Sequence, residues 1–122
     1  MASVHGITFD CANVPAVAKF WRETLGGRLG AGASGEVAVL EVRAATGPAR
    51  LAFRRVPEGK FFKNRVHLDL VTDDFDLEGA RLMSLGAVRL YDHALFDGRW
   101  TTFADVEGNE FDLIDANVRG RQ

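Results

Sequence analysis

The sequence contains only one cysteine, Cys11, among its 122 residues. A single thiol excludes an intramolecular disulfide, and a cysteine within a strand-like run is more often a small buried hydrophobic side chain than a nucleophile. We therefore assign Cys11 no catalytic role. The fold must be stabilised by an apolar core, for which the 47% of hydrophobic residues are sufficient.

The sequence also lacks long apolar runs and an excess of charge of one sign. No stretch approaches the roughly 20 apolar residues of a membrane-spanning helix, and the first residues lack the basic and then apolar order of a secretory signal. With 15 basic and 17 acidic residues the formal charge is -2, which offers no basic patch for nucleic acid or an anionic membrane surface. We expect a cytoplasmic protein whose partners are neither nucleic acids nor membranes.

Two stretches of the chain, 4–26 and 65–87, resemble one another. Each begins with an alternating apolar run, continues with an Asn or Asp that can begin a helix, and then has apolar residues at helical spacing that end at Leu-Gly. Because the pattern occurs only twice, it predicts two paired modules, 1–58 and 64–118, within a single domain spanning 1–122.

Each module is predicted to have a strand, a helix and three further strands, an α+β arrangement. Helices are expected at 14–25, between Asn13 and Gly26-Gly27, and at 75–85, after Asp74. Strands are expected at 4–10, 28–29, 36–43, 50–56, 65–71, 87–91, 99–104 and 110–115, with a turn at Asp97-Gly98 and a tail at 119–122. A ferredoxin-like fold, with two strands after each helix, is the alternative.

Polar side chains alternate with apolar ones along three predicted strands and therefore share one face. They are Thr8, Asp10, His67, Asp69, Glu110 and Asp112. Open solvent explains such a face, and so does a ligand cleft, because imidazole and carboxylate groups are ligands of zinc, iron and manganese. His67 can be a metal ligand, a general acid or base, or a histidine that only hydrogen-bonds. Trp100 can stack on a ligand ring or pack in the core.

Four segments carry a resemblance to a known family. They are 10–15 with the following Phe20-Trp21 and Leu25-Gly26, 65–70, 85–87 and 105–111. Together they resemble the vicinal oxygen chelate superfamily, which includes glyoxalase I, fosfomycin-resistance proteins, extradiol dioxygenases and bleomycin-resistance proteins, and within it the glyoxalase-like proteins. The resemblance covers nearly the whole chain. It implies two paired βαβββ modules that form curved sheets around a cavity.

Metal-binding members of this superfamily take ligands from the first, fifth and eighth strands. Matched to this sequence, the fifth-strand ligand falls on His67, and the eighth-strand ligand falls on Asp112, a carboxylate one methylene shorter than the usual Glu. The first-strand ligand falls on Gly6, with His5 one residue away and expected on the opposite face. The resemblance therefore implies an incomplete metal site of His67 and Asp112, with His5 as the nearest third ligand.

The favoured interpretation is a glyoxalase-like protein that binds a small organic ligand in the inter-module cavity without an intact three-ligand metal site. Such a protein would either bind and sequester the ligand or act as a weak acid-base enzyme with His67 as its catalytic group, and the predicted ligand-binding residues are Thr8, Asp69, Trp100 and Glu110. The alternative is a metal-dependent lyase, isomerase or dioxygenase in which His67 and Asp112 hold a zinc, iron, manganese or nickel ion. A non-catalytic dimerisation module is a further alternative, and we expect a homodimer.

Overall fold

Each half of the chain folds as one strand, one helix and three more strands, in a computed structural model that describes residues 1–95 and 98–117. The first half contains β1 (Ile7–Cys11), α1 (Val14–Leu25), β2 (Arg28–Leu29), β3 (Val37–Ala44) and β4 (Gly47–Arg55). The second half contains β5 (Asp69–Thr72), α2 (Phe75–Ser84), β6 (Val88–Leu95), β7 (Gly98–Ala104) and β8 (Glu110–Asp115).

The two halves have the same sheet topology. The strand orders are β1-β4-β3-β2 and β5-β8-β7-β6. In each sheet the first strand pairs in parallel with the last, and the other neighbours are antiparallel. The chain divides into two compact units, Met1–Gly59 and Lys60–Gln122, close to the predicted module boundaries. Three strands follow each helix, so the ferredoxin-like alternative is wrong.

Helix α1 follows from local signals in the sequence. Asn13 is the N-cap, and its side chain accepts a hydrogen bond of 3.1 Å from the Ala16 amide. Gly26 ends the helix in the left-handed conformation, at φ 73°, which a residue without a side chain adopts at little cost. The predicted bounds of α1 are confirmed.

The core of the first unit lies between α1 and its sheet. Trp21 is fully buried, and its ring centroid lies 5.4 Å from that of Phe9, which in turn lies 5.3 Å from that of Phe53. Burial of one such large apolar side chain stabilises a fold by about 2–3 kcal/mol. Cys11 is also buried, as predicted, and its thiol donates to the Phe9 carbonyl oxygen.

Helix α2 covers one face of the second sheet. Leu82 is fully buried, and Gly79 is buried close to the Phe103 ring, whose Cζ atom would lie 3.7 Å from a Cβ at position 79. On the same face the Arg99 guanidinium lies 4.3 Å from the centroid of the Phe75 ring, and its Nε donates a 2.8 Å hydrogen bond to Asp115. The opposite face of this sheet is left for polar groups.

Two strands of the second unit differ from their predicted bounds. β5 begins at Asp69 rather than at residue 65, so His67 precedes the strand, and Val66 is exposed rather than part of an apolar face. β6 extends to Leu95 rather than ending at 91. Asp97 of the predicted turn, the predicted module end at 118 and the tail at 119–122 lie outside the described residues.

Among residues 1–95 and 98–117, no helix is both long and apolar enough to cross a membrane.

Candidate functional site

Pairing between strands places polar side chains on the face of the second sheet that does not contact α2. Asp69 of β5 is opposite Asp112 of β8, and Asp112 is opposite Thr102 of β7. Residues directly opposite each other point to the same side of a sheet, so these three side chains share one face. We call this the polar face.

A histidine and two carboxylates meet at the β5 and β8 end of the polar face. The His67 Nδ1 atom lies 3.0 Å from an Asp69 carboxylate oxygen and 3.9 Å from Oδ2 of Asp112. One potential ligand atom from each residue lies within 4.8 Å of the other two. We call this group the His67 cluster. The structure thus brings His67 and Asp112, the two metal ligands predicted in this unit, together with Asp69, which lies closer to His67 than Asp112 does. Their function stays a prediction.

The backbone around His67 is tied to β8. The Asp112 amide donates a 3.0 Å hydrogen bond to the Leu68 carbonyl oxygen, directly after His67. Upstream, the Asn64 amide donates a 2.9 Å hydrogen bond to the Glu110 carboxylate. These two bonds hold residues 64–68 beside β8 although β5 itself begins only at Asp69.

Glu110 anchors this loop through a second contact as well, an ion pair with Lys60. Lys60 Nζ lies 3.2 Å from the Glu110 carboxylate, whose side chain is only 14% exposed. Burial raises the pKa of the Glu110 carboxyl, but hydrogen bonds from the backbone amides of Asn64 and of Glu110 itself, together with the Lys60 ammonium, outweigh it and hold the pKa below its ordinary value. The structure therefore places Glu110 in a loop-anchoring contact and outside the His67 cluster.

Asp112 is also fixed from the side of β7 and β6. The Thr102 hydroxyl donates a 2.7 Å hydrogen bond to Asp112 Oδ1, and Nε2 of His93 lies 3.2 Å from the same hydroxyl oxygen. The His93 ring stacks on Trp100, with centroids 4.8 Å apart and planes 15° from parallel. The predicted aromatic residue Trp100 is therefore part of the polar face, but one side of its ring contacts an imidazole.

The sequence reasoning missed His93 and Thr102 because a β-bulge places them together. The register between β6 and β7 shifts between Arg89 and Tyr91, so that Leu90 has no partner. The extra residue sets Tyr91 opposite Thr102, and His93 opposite Trp100, on the polar face. Without it His93 would be opposite Arg99 and would point toward α2. The only sequence signal was that His93 is one of three histidines in the chain.

A family model described as "Glyoxalase-like domain" matches residues 6–114. The chain belongs to the glyoxalase-like domain family. No curated protein is significantly similar to it in sequence. The predicted α+β fold with two βαβββ modules, of the glyoxalase/bleomycin-resistance type within the vicinal oxygen chelate superfamily, is confirmed.

Solved structures with the same fold include fosfomycin-resistance proteins. FosX from Listeria monocytogenes, in a variant complexed with Mn(II) and 1S,2S-dihydroxypropylphosphonic acid, is 14% identical, with a TM-score of 0.75 over 99% of this chain and 95% of that one. FosX from Mesorhizobium loti is 17% identical, with a TM-score of 0.71 over 94% and 92%. A glyoxalase/bleomycin resistance protein/dioxygenase family enzyme from Burkholderia phytofirmans PsJN is 14% identical, with a TM-score of 0.75 over 93% and 98%. At these identities the likeness concerns the fold alone.

Gly6, the position that the resemblance matches to the first-strand metal ligand, has no room for a side chain. A Cβ atom at Gly6 would lie 2.8 Å from the Arg50 carbonyl oxygen, so a larger residue needs a backbone shift. His5 and Thr8, the other predicted site residues of the first unit, are exposed. Neither belongs to the His67 cluster, which is formed by the second unit alone. The inter-module cavity stays a prediction.

The His67 cluster has the donor chemistry of a divalent metal site. Donor atoms that share one ion at bond lengths of about 2.1 Å lie about 3–4 Å apart, and the separations from His67 Nδ1 are 3.0 and 3.9 Å. One imidazole and two carboxylates suit zinc, iron or manganese. Asp69 offers a third donor atom beside His67 and Asp112, where the resemblance implied His5.

Proposed function

We propose that this glyoxalase-like chain binds a small organic molecule on the polar face of its second sheet, where His67 transfers a proton to or from the ligand. The observation that carries the proposal is the position of His67 Nδ1 beside the Asp69 carboxylate, at 3.0 Å. A carboxylate at Nδ1 favours the tautomer with a proton on that atom. Nε2 is then the nitrogen with a free lone pair, available as a general base.

Apolar side chains beside the His67 cluster support an organic ligand. Val71 is opposite Ile114, and Ile114 is opposite Trp100, so all three lie on the polar face next to the carboxylates. Val71 and Tyr91 are 63% and 61% exposed. An apolar surface next to a few convergent polar groups is the usual composition of a small-molecule site.

A divalent cation held by His67, Asp69 and Asp112 is the second candidate. The cluster sets two carboxylates against one imidazole, an arrangement that attracts a cation, and FosX from Listeria monocytogenes was solved with Mn(II). A bound zinc, iron, manganese or nickel ion would supply Lewis-acid polarisation of ligand oxygens. The chain would then be a lyase, an isomerase or a dioxygenase.

The net charge of the His67 cluster determines which class of ligand it can accept. Without a cation, the two carboxylates repel an anionic ligand and accept a neutral or cationic one. With a cation, oxygen atoms of an anionic ligand become suitable. Catechol is an appropriate first probe, because its ring suits the apolar side chains and its adjacent oxygens suit the cluster in either state.

Metal analysis and probe binding together test the proposal. The metal content of protein purified without chelator is measured for the wild type, for His67→Ala and for His5→Ala as a matched histidine control. Catechol binding is followed by the amide and indole NMR signals of the polar face, with and without added Mn²⁺. We expect catechol to shift the Trp100 indole signal in the wild type and in His5→Ala but not in His67→Ala.

Two results would contradict parts of the proposal. If the wild type carries stoichiometric metal and His67→Ala does not, the metal-free proposal is wrong and the cation candidate is supported. No shift of the polar-face signals at millimolar catechol, in either the presence or the absence of Mn²⁺, would reject small-molecule binding there. The homodimer, the single domain and the cytoplasmic location stay predictions, and light scattering of the purified protein tests the first.

A further inference from the structure

We propose that His93 and Thr102 are positioning residues that hold one oxygen of Asp112 through a hydrogen-bond chain with a single direction. The chain runs from His93 Nε2 to Thr102 Oγ1, 3.2 Å away, and from Thr102 Oγ1 to Asp112 Oδ1, 2.7 Å away. It extends the proposed function of the polar face to residues on β6 and β7, and only its last step, the effect on ligand binding, rests on that proposed function.

The direction follows from counting hydrogens. A threonine hydroxyl has one hydrogen, and an ionised carboxylate can only accept. Since Thr102 donates its hydrogen to Asp112, the same oxygen can only accept from His93. His93 must therefore carry a proton on Nε2, and its Nδ1 is unprotonated when the ring is neutral.

The geometry of the neighbouring groups keeps this chain in place. Thr102 is buried, at 7% exposure, so its hydroxyl has little access to competing water. The His93 ring stacks on Trp100 at 4.8 Å, which limits rotation of the imidazole. The bulge at Leu90 sets the register that brings the three side chains to one face.

The chain divides the two oxygens of Asp112 between different tasks. Oδ1 accepts from Thr102, while Oδ2 faces His67 Nδ1 at 3.9 Å. Oδ2 is therefore the Asp112 oxygen directed toward the His67 cluster, while Thr102 orients the carboxylate through Oδ1. His67 and His93 also present different ring atoms, since His67 Nδ1 lies at Asp69 and His93 Nε2 at Thr102.

The imidazole nitrogen signals of His93 test the chain without any ligand. At alkaline pH, where an imidazole is neutral, long-range ¹H–¹⁵N NMR spectra distinguish a protonated Nε2 from a protonated Nδ1. We expect a single Nε2–H tautomer in the wild type and in Thr102→Ser, which keeps the hydroxyl. In Thr102→Val, which keeps the shape but loses the hydroxyl, we expect a mixture of tautomers. A protonated Nδ1 in the wild type, or no difference between Val and Ser at position 102, would overturn the proposal.

Cation affinity tests the positioning role, with Mn²⁺ alone as the probe. If the cation candidate holds, water-proton relaxation should show about tenfold weaker Mn²⁺ binding in Thr102→Val than in Thr102→Ser, the size typical for loss of an outer hydrogen bond to a metal ligand. If Thr102→Val does not fold, His93→Phe replaces it, because it keeps a ring against Trp100 but has no donor. The positioning role would be rejected if Thr102→Val binds Mn²⁺ as tightly as Thr102→Ser does. The same criterion applies to His93→Phe if that variant is needed.

Failure of the hydrogen-bond chain and failure of the proposed function give different results. The Nε2–H tautomer without any Mn²⁺ or catechol binding would support the chain and reject the proposed function. Binding of either probe together with the Nδ1–H tautomer would reject the chain and leave the proposed function in place.

Discussion

The imidazole of His67 and the carboxylate of Asp69 lie 3.0 Å apart although only one residue separates them. Residues two apart on a strand share a face, but His67 precedes β5 while Asp69 begins it. The irregular backbone before the strand allows the ring to approach the carboxylate. This contact adds Asp69 to a group that would otherwise contain only His67 and Asp112.

The first prediction concerns the charge of Asp69. Asp69→Asn keeps the size of the side chain but removes one of the two negative charges of the His67 cluster. If the cluster holds a cation, we expect Mn²⁺ binding to weaken by about tenfold or more, because a neutral amide is a poorer ligand than a carboxylate. Isothermal titration calorimetry with Mn²⁺ measures the change.

Asp73→Asn is the matched control for this experiment. Asp73 is an exposed carboxylate in the same unit and lies outside the cluster. Its substitution should leave Mn²⁺ affinity within twofold of the wild type. Equal weakening in both variants would mean that the effect is one of total charge and not of a ligand at position 69.

The second prediction concerns Gly6. Because a Cβ there would lie 2.8 Å from the Arg50 carbonyl oxygen, Gly6→His should destabilise the fold by about 1–3 kcal/mol and should not create a metal ligand. Urea unfolding measures the first effect and Mn²⁺ titration the second. Gly32→Ala is the control, since no atom lies within 4 Å of a Cβ at that position. A stable Gly6→His variant with tighter Mn²⁺ binding would contradict the prediction.

The parts of the fold that depend on local signals could be predicted from the sequence. Asn13 and Gly26 act on the backbone next to them, so the bounds of α1 were correct. The repeat likewise revealed the two βαβββ modules. Alternation along a strand needs only the sequence and pointed to Asp69 and Asp112, whereas His67, which precedes β5, was matched through the family resemblance.

The remaining site residues depend on contacts distant in sequence. In the segment before β5, the Asn64 amide donates to the Glu110 carboxylate, a pairing 46 residues apart that no local pattern indicates. His93 lies on the polar face only because β6 carries a bulge at Leu90. Alternation from the start of β6 predicts the wrong face for every residue after such a bulge.

The third prediction concerns the N-cap of α1. Asn13→Ala removes the acceptor of the Ala16 amide hydrogen and should destabilise the fold by about 1 kcal/mol. Asn13→Ser, which retains a capping oxygen, should lose only a small part of that. Urea unfolding of the three proteins gives the comparison. Equal stability of the Ala and Ser variants would show that the cap contributes little.

The fourth prediction concerns the pH dependence of the loop anchor. Burial raises the pKa of Glu110, but the backbone amides of Asn64 and of Glu110 itself, together with Lys60, outweigh burial and lower the pKa below its ordinary value of 4.5. A lowered pKa in the folded state means that the ionised carboxylate stabilises the fold at pH values above 4.5. That contribution is lost as the pH falls below 4.5 and the group takes up a proton.

Glu110→Gln isolates this contribution, because glutamine keeps an oxygen for the Asn64 amide but loses the charge that faces Lys60. We expect the variant to be about 1 kcal/mol less stable than the wild type at pH 7, and the difference to shrink as the pH falls below the ordinary value of 4.5. Urea unfolding across this pH range measures it. Glu36→Gln is the control, since Glu36 is exposed and lies 3.9 Å from an exposed Arg55, a surface pair that contributes little. A destabilisation by Glu110→Gln that stays constant down to acid pH would mean that the glutamate side chain acts through its shape and not through its charge.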